Sequence, residues 1–260
     1  MNLSFDVTYL SNIKGKEMYA RSTPVRHLLV LCALFFISKT AQAQHYTHAT
    51  FWGRLSVTVP LSKKWEMQAE YWYRTQSDLE HSRWNLFSRQ WSQQPRIWLN
   101  YRQKNYSIIS YPFSYVYSTP FIGKMTDYNL LPNHTFSSAA GIEGQQKVKK
   151  WTFRERAMYE CRISKLQNFK PAGRSRFRAM TQYQVTPKWR LTASDEVFFS
   201  MPPNKPVHIF DQNWASFSTA FQLNPKYTLD LGYMRNHRER PNGIEFDEEN
   251  TLTFGLNVRL

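Results

Sequence analysis

Apolar and polar residues alternate with a period of two along most of this chain. In its last segment Leu252, Phe254, Leu256, Val258 and Leu260 share one face, and Thr251, Thr253, Gly255, Asn257 and Arg259 the other. Alternation of this kind marks a strand with one face in an apolar phase. The pattern recurs upstream. Leu55, Val57, Val59 and Leu61 oppose Arg54, Ser56 and Thr58, and Met67, Ala69, Tyr71 and Tyr73 oppose Glu66, Gln68, Glu70 and Arg74. Ile109, Tyr111, Phe113, Tyr115 and Tyr117 form the next row. Phe177, Ala179, Thr181, Tyr183 and Val185 then oppose Arg174, Arg176, Arg178, Gln182 and Gln184. Two further rows run through Ala215, Phe217, Thr219, Phe221 and Leu223, and through Tyr227, Leu229, Leu231 and Tyr233.

Two residues break the alternation. Glu155 falls in the row of Trp151, Phe153, Ala157 and Tyr159, and Asp195 in the row of Leu191, Ala193, Val197 and Phe199. A carboxylate on an apolar face is costly, so a β-bulge turning each inward is expected, with a rim position as the alternative.

The connections alternate in length. Short turns fall near 60–64, 103–105, 146–150, 186–188 and 224–226, and long ones near 75–94, 118–134, 163–173, 200–211 and 236–248. This division yields eleven strand segments, whereas antiparallel closure wants an even number. The expectation is an all-β fold: a single antiparallel transmembrane β-barrel of twelve strands, with ten as the alternative, short periplasmic turns and longer extracellular loops. The twelfth strand is expected in Ser82–Gln94 or directly after Gln44.

Aromatics are 16% of the residues, and they suit a pleated surface. They also mark the turns. Trp65, Tyr106, Trp151, Trp189 and Tyr227 each follow a Lys or Asn at a short turn, about 40 residues apart, and read as an interface girdle on one rim.

The N-terminal segment sets the compartment. Arg26 and His27 precede an apolar run from Leu28 to Ile37, followed by Ala41-Gln42-Ala43. This predicts a secretory signal peptide over 1–43, with Met18 as an alternative start, and a barrel over 44–260. The run is too short for a helical span, which needs about 20 apolar residues. A mean hydropathy of -0.59 excludes a helical membrane protein. The chain carries a net charge of +15. Export argues against nucleic acid as the partner, leaving outer-membrane lipid phosphates and carboxylates within the same lumen. Transit implies contact with periplasmic chaperones and the barrel assembly machinery; the sequence points to no stable protein partner.

The candidate chemistry lies on the polar face. Arg102, Arg154, Arg156, Arg174, Arg176, Arg178 and Arg190 are expected to point inward with Glu66, Glu70, Glu160, Glu196 and Asp230. Arg pairs with carboxylates through parallel hydrogen bonds, so a salt-bridged, stiffened lumen or a narrow anion-biased pore is expected. Glu245, Asp247, Glu248 and Glu249 read as a solvated acidic loop without EF-hand spacing. His45 and His48 read as an H-x-x-H on a flexible terminus. No metal site and no cofactor are expected. The alternative to a non-enzymatic barrel or surface-binding platform is a lipid hydrolase or acyltransferase. That would need a rim His, from His81, His134, His208 or His237, paired with a Ser. No G-x-S-x-G motif is present.

One resemblance covers most of the chain after the signal segment. Trp52 to Arg74 spans a Lys63-Lys64-Trp65 turn. Asp195-Glu196-Val197-Phe198-Phe199 is followed by Phe210-Asp211-Gln212-Asn213, then by Leu229-Asp230-Leu231-Gly232-Tyr233 and a terminal strand. This order resembles the domain of unknown function family 2490, outer-membrane barrels of Gram-negative bacteria; Trp214 stands where the pattern has Arg. The resemblance implies fold and location. It implies no activity.

Overall fold

The computed structural model describes residues 45–77, 85–119, 132–165, 168–201, 209–240 and 245–260. The expected signal peptide lies outside them. The strands are β1 (His45–Pro60), β2 (Trp65–Gln76), β3 (Arg89–Arg102), β4 (Tyr106–Ser118), β5 (Asn133–Val148) and β6 (Trp151–Ser164). They continue as β7 (Pro171–Thr186), β8 (Trp189–Met201), β9 (Phe210–Gln222), β10 (Tyr227–Glu239) and β11 (Phe246–Arg259). Each pairs with its sequence neighbour, and β1 pairs with β11 to close a barrel.

The strand count corrects the expectation of twelve or ten. Among the described residues there are eleven strands, and the segment directly after Gln44 is the start of β1 rather than a separate strand. With an odd number the first and last strands run the same way, so the closing pair is parallel, from His45↔Phe246 to Thr58↔Arg259. The antiparallel expectation holds for every other neighbouring pair. A parallel pair is slightly weaker per residue, but closure removes two edges that would otherwise expose unpaired N–H and C=O groups. Side chains reinforce the seam. Thr50 Oγ1 lies 2.7 Å from Thr251 Oγ1, Ser56 donates to Asn257 at 2.8 Å, and His48 Nε2 meets Asp247 at 3.0 Å. The odd count also leaves His45 and Arg259 at opposite rims.

The turns before β2, β4, β6, β8 and β10 are short and share one rim; the longer connections share the other. In the two-residue turn between β5 and β6 Lys149 takes a positive φ of 53°, as is common in tight hairpins.

Alternation carries large apolar residues outward. Leu55, Tyr71, Phe113, Phe177, Phe217, Leu231 and Phe254 are all exposed on the outer wall. One expected row is split. Tyr111 is 0% exposed and Phe113 45%, and the β4–β5 register shifts between Tyr111 and Ser114. The bulge includes Pro112, which has no N–H for a ladder, and it turns Ile109 and Tyr111 inward.

The bulges expected at Glu155 and Asp195 are not there. The β6–β7 register is unbroken, and the shifts flanking β8 fall at Gln184/Thr186 and Phe198/Phe199. Both carboxylates therefore stay on the outer face. Glu155 is exposed, whereas Asp195 is 1% exposed between Ala179 and Ala215 and accepts a hydrogen bond from the Asn213 amide.

The acidic segment and the H-x-x-H are also corrected. Asp247, Glu248 and Glu249 belong to β11 and are buried, and His48 is buried in β1. Asp247 meets Arg240 at 2.7 Å, Glu249 meets Arg238 at 2.6 Å, and Glu248 meets His237 at 2.5 Å.

Candidate functional site: the barrel lumen

Among the described residues, two chambers lie between the inward faces of the strands. The one nearer the long connections has a volume of about 230 Å³, and the one nearer the short turns about 400 Å³. Trp52, Arg96, Arg176 and Trp214 line both. These four side chains form the layer where the two chambers meet.

The sequence-expected charges meet in clusters on β5 to β8. Arg174 Nη2 lies 2.7 Å from Glu160, and Arg176 lies 2.9 Å from Glu196 and 3.6 Å from Glu160. Arg156 and Arg178 each approach Glu143 Oε2 at 2.8 Å, and Arg154 lies 3.7 Å from Oε1. On the other wall Arg102 meets Glu66 at 2.6 Å, and Arg54 meets Asp230 at 3.0 Å. Glu70 accepts the Trp98 indole N–H at 2.6 Å. Arg190 lines the larger chamber with no described carboxylate within 4.0 Å, and its Nε is buried without a partner.

Several partners of this network escape a reading of charge rows. Glu143 sits on β5, whose Ala, Gly and Ser residues give no clear apolar row to set the phase. Asp211, 3.1 Å from Arg174, lies at the β8–β9 register shift. The larger omission is aromatic. Trp52, Trp72, Trp98, Phe198 and Trp214 share strand faces with Arg54, Glu70, Arg96, Glu196 and Ser216, so period two alone places them inside. There they stack with arginines. Arg74 lies 3.8 Å from the Trp52 ring centre, Arg96 4.7 Å from Tyr111, Arg176 4.8 Å from Phe198 and Arg238 5.3 Å from Trp91. Such contacts gain about 2 kcal/mol or more where water is excluded.

The aromatics at the short turns form another set. Trp65, Trp151, Trp189, Tyr106 and Tyr227 are each the first residue of an even-numbered strand and are exposed at the short-turn rim. Of the rim histidines, His134 Nδ1 lies 2.7 Å from the Tyr115 hydroxyl, and His237 is stacked on Phe246. His81 and His208 lie outside the described residues. Among the described residues no group of three or more His, Cys, Asp or Glu side chains is placed to hold a metal ion.

A family model described as "Protein of unknown function (DUF2490)" matches residues 49–247, from β1 into β11. The chain belongs to DUF2490. No curated protein matches it. Among solved structures it is similar to a NanC porin, at 12% identity over 77% of this chain and 92% of that one, with a TM-score of 0.45. It is also similar to outer-membrane expressed OmpT of Vibrio cholerae, at 7% identity over 72% of this chain and 60% of that one, with a TM-score of 0.36.

The segments that carried the resemblance to DUF2490 converge in space. Glu196↔Trp214, Val197↔Asn213 and Phe198↔Gln212 are register partners on β8 and β9. From these two strands of the DUF2490 barrel, Glu196 holds Arg176, Asp211 holds Arg174, and Trp214 packs edge-on against Trp52 at 5.2 Å. The segments therefore build the layer where the chambers meet and the walls beside it.

Proposed function

We propose that this DUF2490 barrel spans the outer membrane and works as a narrow, anion-biased, non-enzymatic pore. The exposed Phe, Tyr and Leu residues of the outer wall suit lipid tails, and the aromatic ring at the short-turn rim suits a headgroup interface. Short turns then face the periplasm. The reading includes export through the 1–43 signal segment and passage by way of periplasmic chaperones and the assembly machinery.

One observation carries the pore reading. Each inward carboxylate of the walls is within reach of an arginine, yet Arg74, Arg96 and Arg190 have no described carboxylate within 4.0 Å. Uncompensated positive charge in a confined, low-dielectric passage favours anions. Reversal potentials in planar bilayers under a potassium chloride gradient test this. Small steps with the anion sign are expected, and large cation-selective currents would overturn the reading. The layer at Trp52, Arg96, Arg176 and Trp214 favours a second reading, a closed structural barrel, which shows no steps at all.

A further inference from the structure

The barrel segregates its cations by type. Those lining the two chambers are all arginines, whereas the described lysines stand at the rims. Most of them share one rim. Lys64, Lys150, Lys188 and Lys226 stand on the short turns directly before Trp65, Trp151, Trp189 and Tyr227, and Lys104 stands two residues before Tyr106. Lys63 and Lys149 lie on the same turns and Lys147 near the end of β5, so eight exposed lysines ring this end of the barrel. No Asp or Glu occurs in 61–64, 103–105, 149–150, 187–188 or 223–226. Glu66, near the start of β2, is already held by Arg102 at 2.6 Å and Arg259 at 3.6 Å. Among the described residues none of the eight lysines has a carboxylate within 4.0 Å.

The lysines have a defined height on the outer wall. Ile108, Phe221 and Leu231 are exposed on its apolar part, and the rings of Trp65, Tyr106, Trp151, Trp189 and Tyr227 are exposed at its edge. A strand advances about 3.4 Å per residue, so the lysines that precede these rings stand roughly one step beyond them. The order along the wall is therefore apolar side chain, amphipathic ring, ammonium. That is the order of lipid tail, interface and headgroup phosphate. Lys64 shows the outward reach directly. Its Nζ lies 6.0 Å from the Tyr101 ring centre, and Tyr101 packs against Trp65 at 4.9 Å on the outer wall.

The residue type narrows the partner. Arginine suits fixed, bidentate pairing, and the lumen uses it for that; lysine is a hydrated point charge on a flexible stem, which suits a mobile anion. The lysines also recur on all five short turns rather than gathering on one side. A partner that surrounds the wall meets all of them, whereas a protein docked on one side would leave most unused.

We propose that the short-turn rim is a binding belt for the headgroups of net-anionic phospholipids, in the bilayer leaflet that contains the aromatic ring. The belt rests on the reading that the barrel spans a bilayer, and it does not depend on whether the lumen conducts. A cation near an anionic bilayer surface gains about fivefold in affinity, and the gain fades within a Debye length.

Electron spin resonance of spin-labelled phosphatidylglycerol and phosphatidylcholine tests the belt, with the full barrel in phosphatidylcholine bilayers. Phosphatidylglycerol is expected to associate with the wall about threefold or more in preference at low salt. The preference should largely vanish at about 1 M potassium chloride, where the Debye length is about 3 Å. Lys64→Gln, Lys150→Gln, Lys188→Gln and Lys226→Gln together are expected to abolish most of it. Lys165→Gln with Lys170→Gln, on exposed positions at the other rim, should leave it unchanged. Heat-modified gel mobility checks that each variant is a folded barrel. If the fourfold variant does not fold, the pairs Lys64→Gln with Lys150→Gln and Lys188→Gln with Lys226→Gln decide, each expected to lose part of the preference. Equal association of the two lipids, an unchanged preference in the folded rim variants, or an equal loss in the control would each overturn the belt. Equal association combined with salt-sensitive binding of polyglutamate would also overturn it and assign the rim to an acidic protein surface. Failure of the membrane-spanning reading looks different, because neither labelled lipid would then show a population immobilised by the barrel.

Discussion

Arg178 on β7 reaches across β6 to Glu143 on β5, its Nη2 2.8 Å from Oε2. The same oxygen accepts from Arg156 Nε at 2.9 Å, so one carboxylate ties three consecutive strands from inside the barrel. Removing a single partner from a buried ion cluster leaves uncompensated charge, which costs about 3–5 kcal/mol where water is excluded and less in a wet lumen. Glu143→Gln is therefore expected to lower the temperature at which the folded band disappears in heat-modified gels. It should also strengthen anion preference in bilayers, since Arg154, Arg156 and Arg178 lose their shared counter-charge. An unchanged unfolding temperature would remove Glu143 from the role of a strand tie.

A second prediction concerns close approach. A Cβ built on Gly141 would lie 2.2 Å from the Ala157 carbonyl oxygen and 2.5 Å from Met158 Cγ. Met158 belongs to the inward cluster with Trp98, Ile109, Tyr111 and Ala139. Gly141→Val would have to push β5 away from β6 or displace Met158 from that cluster. Overpacking of this kind costs about 1–3 kcal/mol, and denaturant midpoints in detergent should fall accordingly. Gly144→Val, whose added Cβ has its nearest neighbour at 4.0 Å, is the control expected to change little.

The parallel seam makes a covalent prediction. Thr50 and Thr251 are register partners with hydroxyls 2.7 Å apart. Cysteines at the two positions would put their sulfurs where hydroxyls already touch, and a disulfide accepts a Cβ separation of about 3.5–4.5 Å. In a Cys161→Ser background, Thr50→Cys with Thr251→Cys is expected to oxidise to one internal bridge, read as a faster band on non-reducing gels. Thr50→Cys with Asn257→Cys should not bridge. Two titratable thiols after oxidation of the first pair would mean that another strand separates β1 from β11.

The limits of what the sequence made legible follow from the same geometry. Alternation located the strand segments and their phases, because one-sided apolar contact imposes period two on Leu252 to Leu260 and on Phe177 to Val185. It could not settle closure. An odd set of segments can be completed by another strand or by a parallel seam, and only the register of β1 against β11 distinguishes them. Alternation also failed where the backbone slips. Tyr111 and Phe113 look like one row until the β4–β5 shift separates them. The charged half of the candidate site was legible from Arg174, Arg176, Glu160 and Glu196. The aromatic half was not, because an indole suits either face of such a wall, and only the phase that Trp52 shares with Arg54 and Trp214 with Ser216 places them inside.

The last prediction comes from Asp195, a carboxylate held on the outer wall. Its neighbours across the sheet are Ala179 and Ala215, and the Asn213 amide donates to it and, at 3.4 Å, to the Glu196 carbonyl oxygen. A carboxylate buried to 1% exposure is unfavourable, and the hydrogen bond offsets part of that cost. Asp195→Ala removes the charge but leaves the Asn213 amide with one long contact, so the single substitution is expected to lower stability by about 1–3 kcal/mol. Replacing both members with apolar residues removes the two desolvation costs together. Asp195→Ala with Asn213→Ala should then be at least as stable as the starting protein, a coupling read from a double-mutant cycle of denaturant midpoints in detergent. Additive losses from the two changes would mean that Asp195 is stabilised by something other than Asn213.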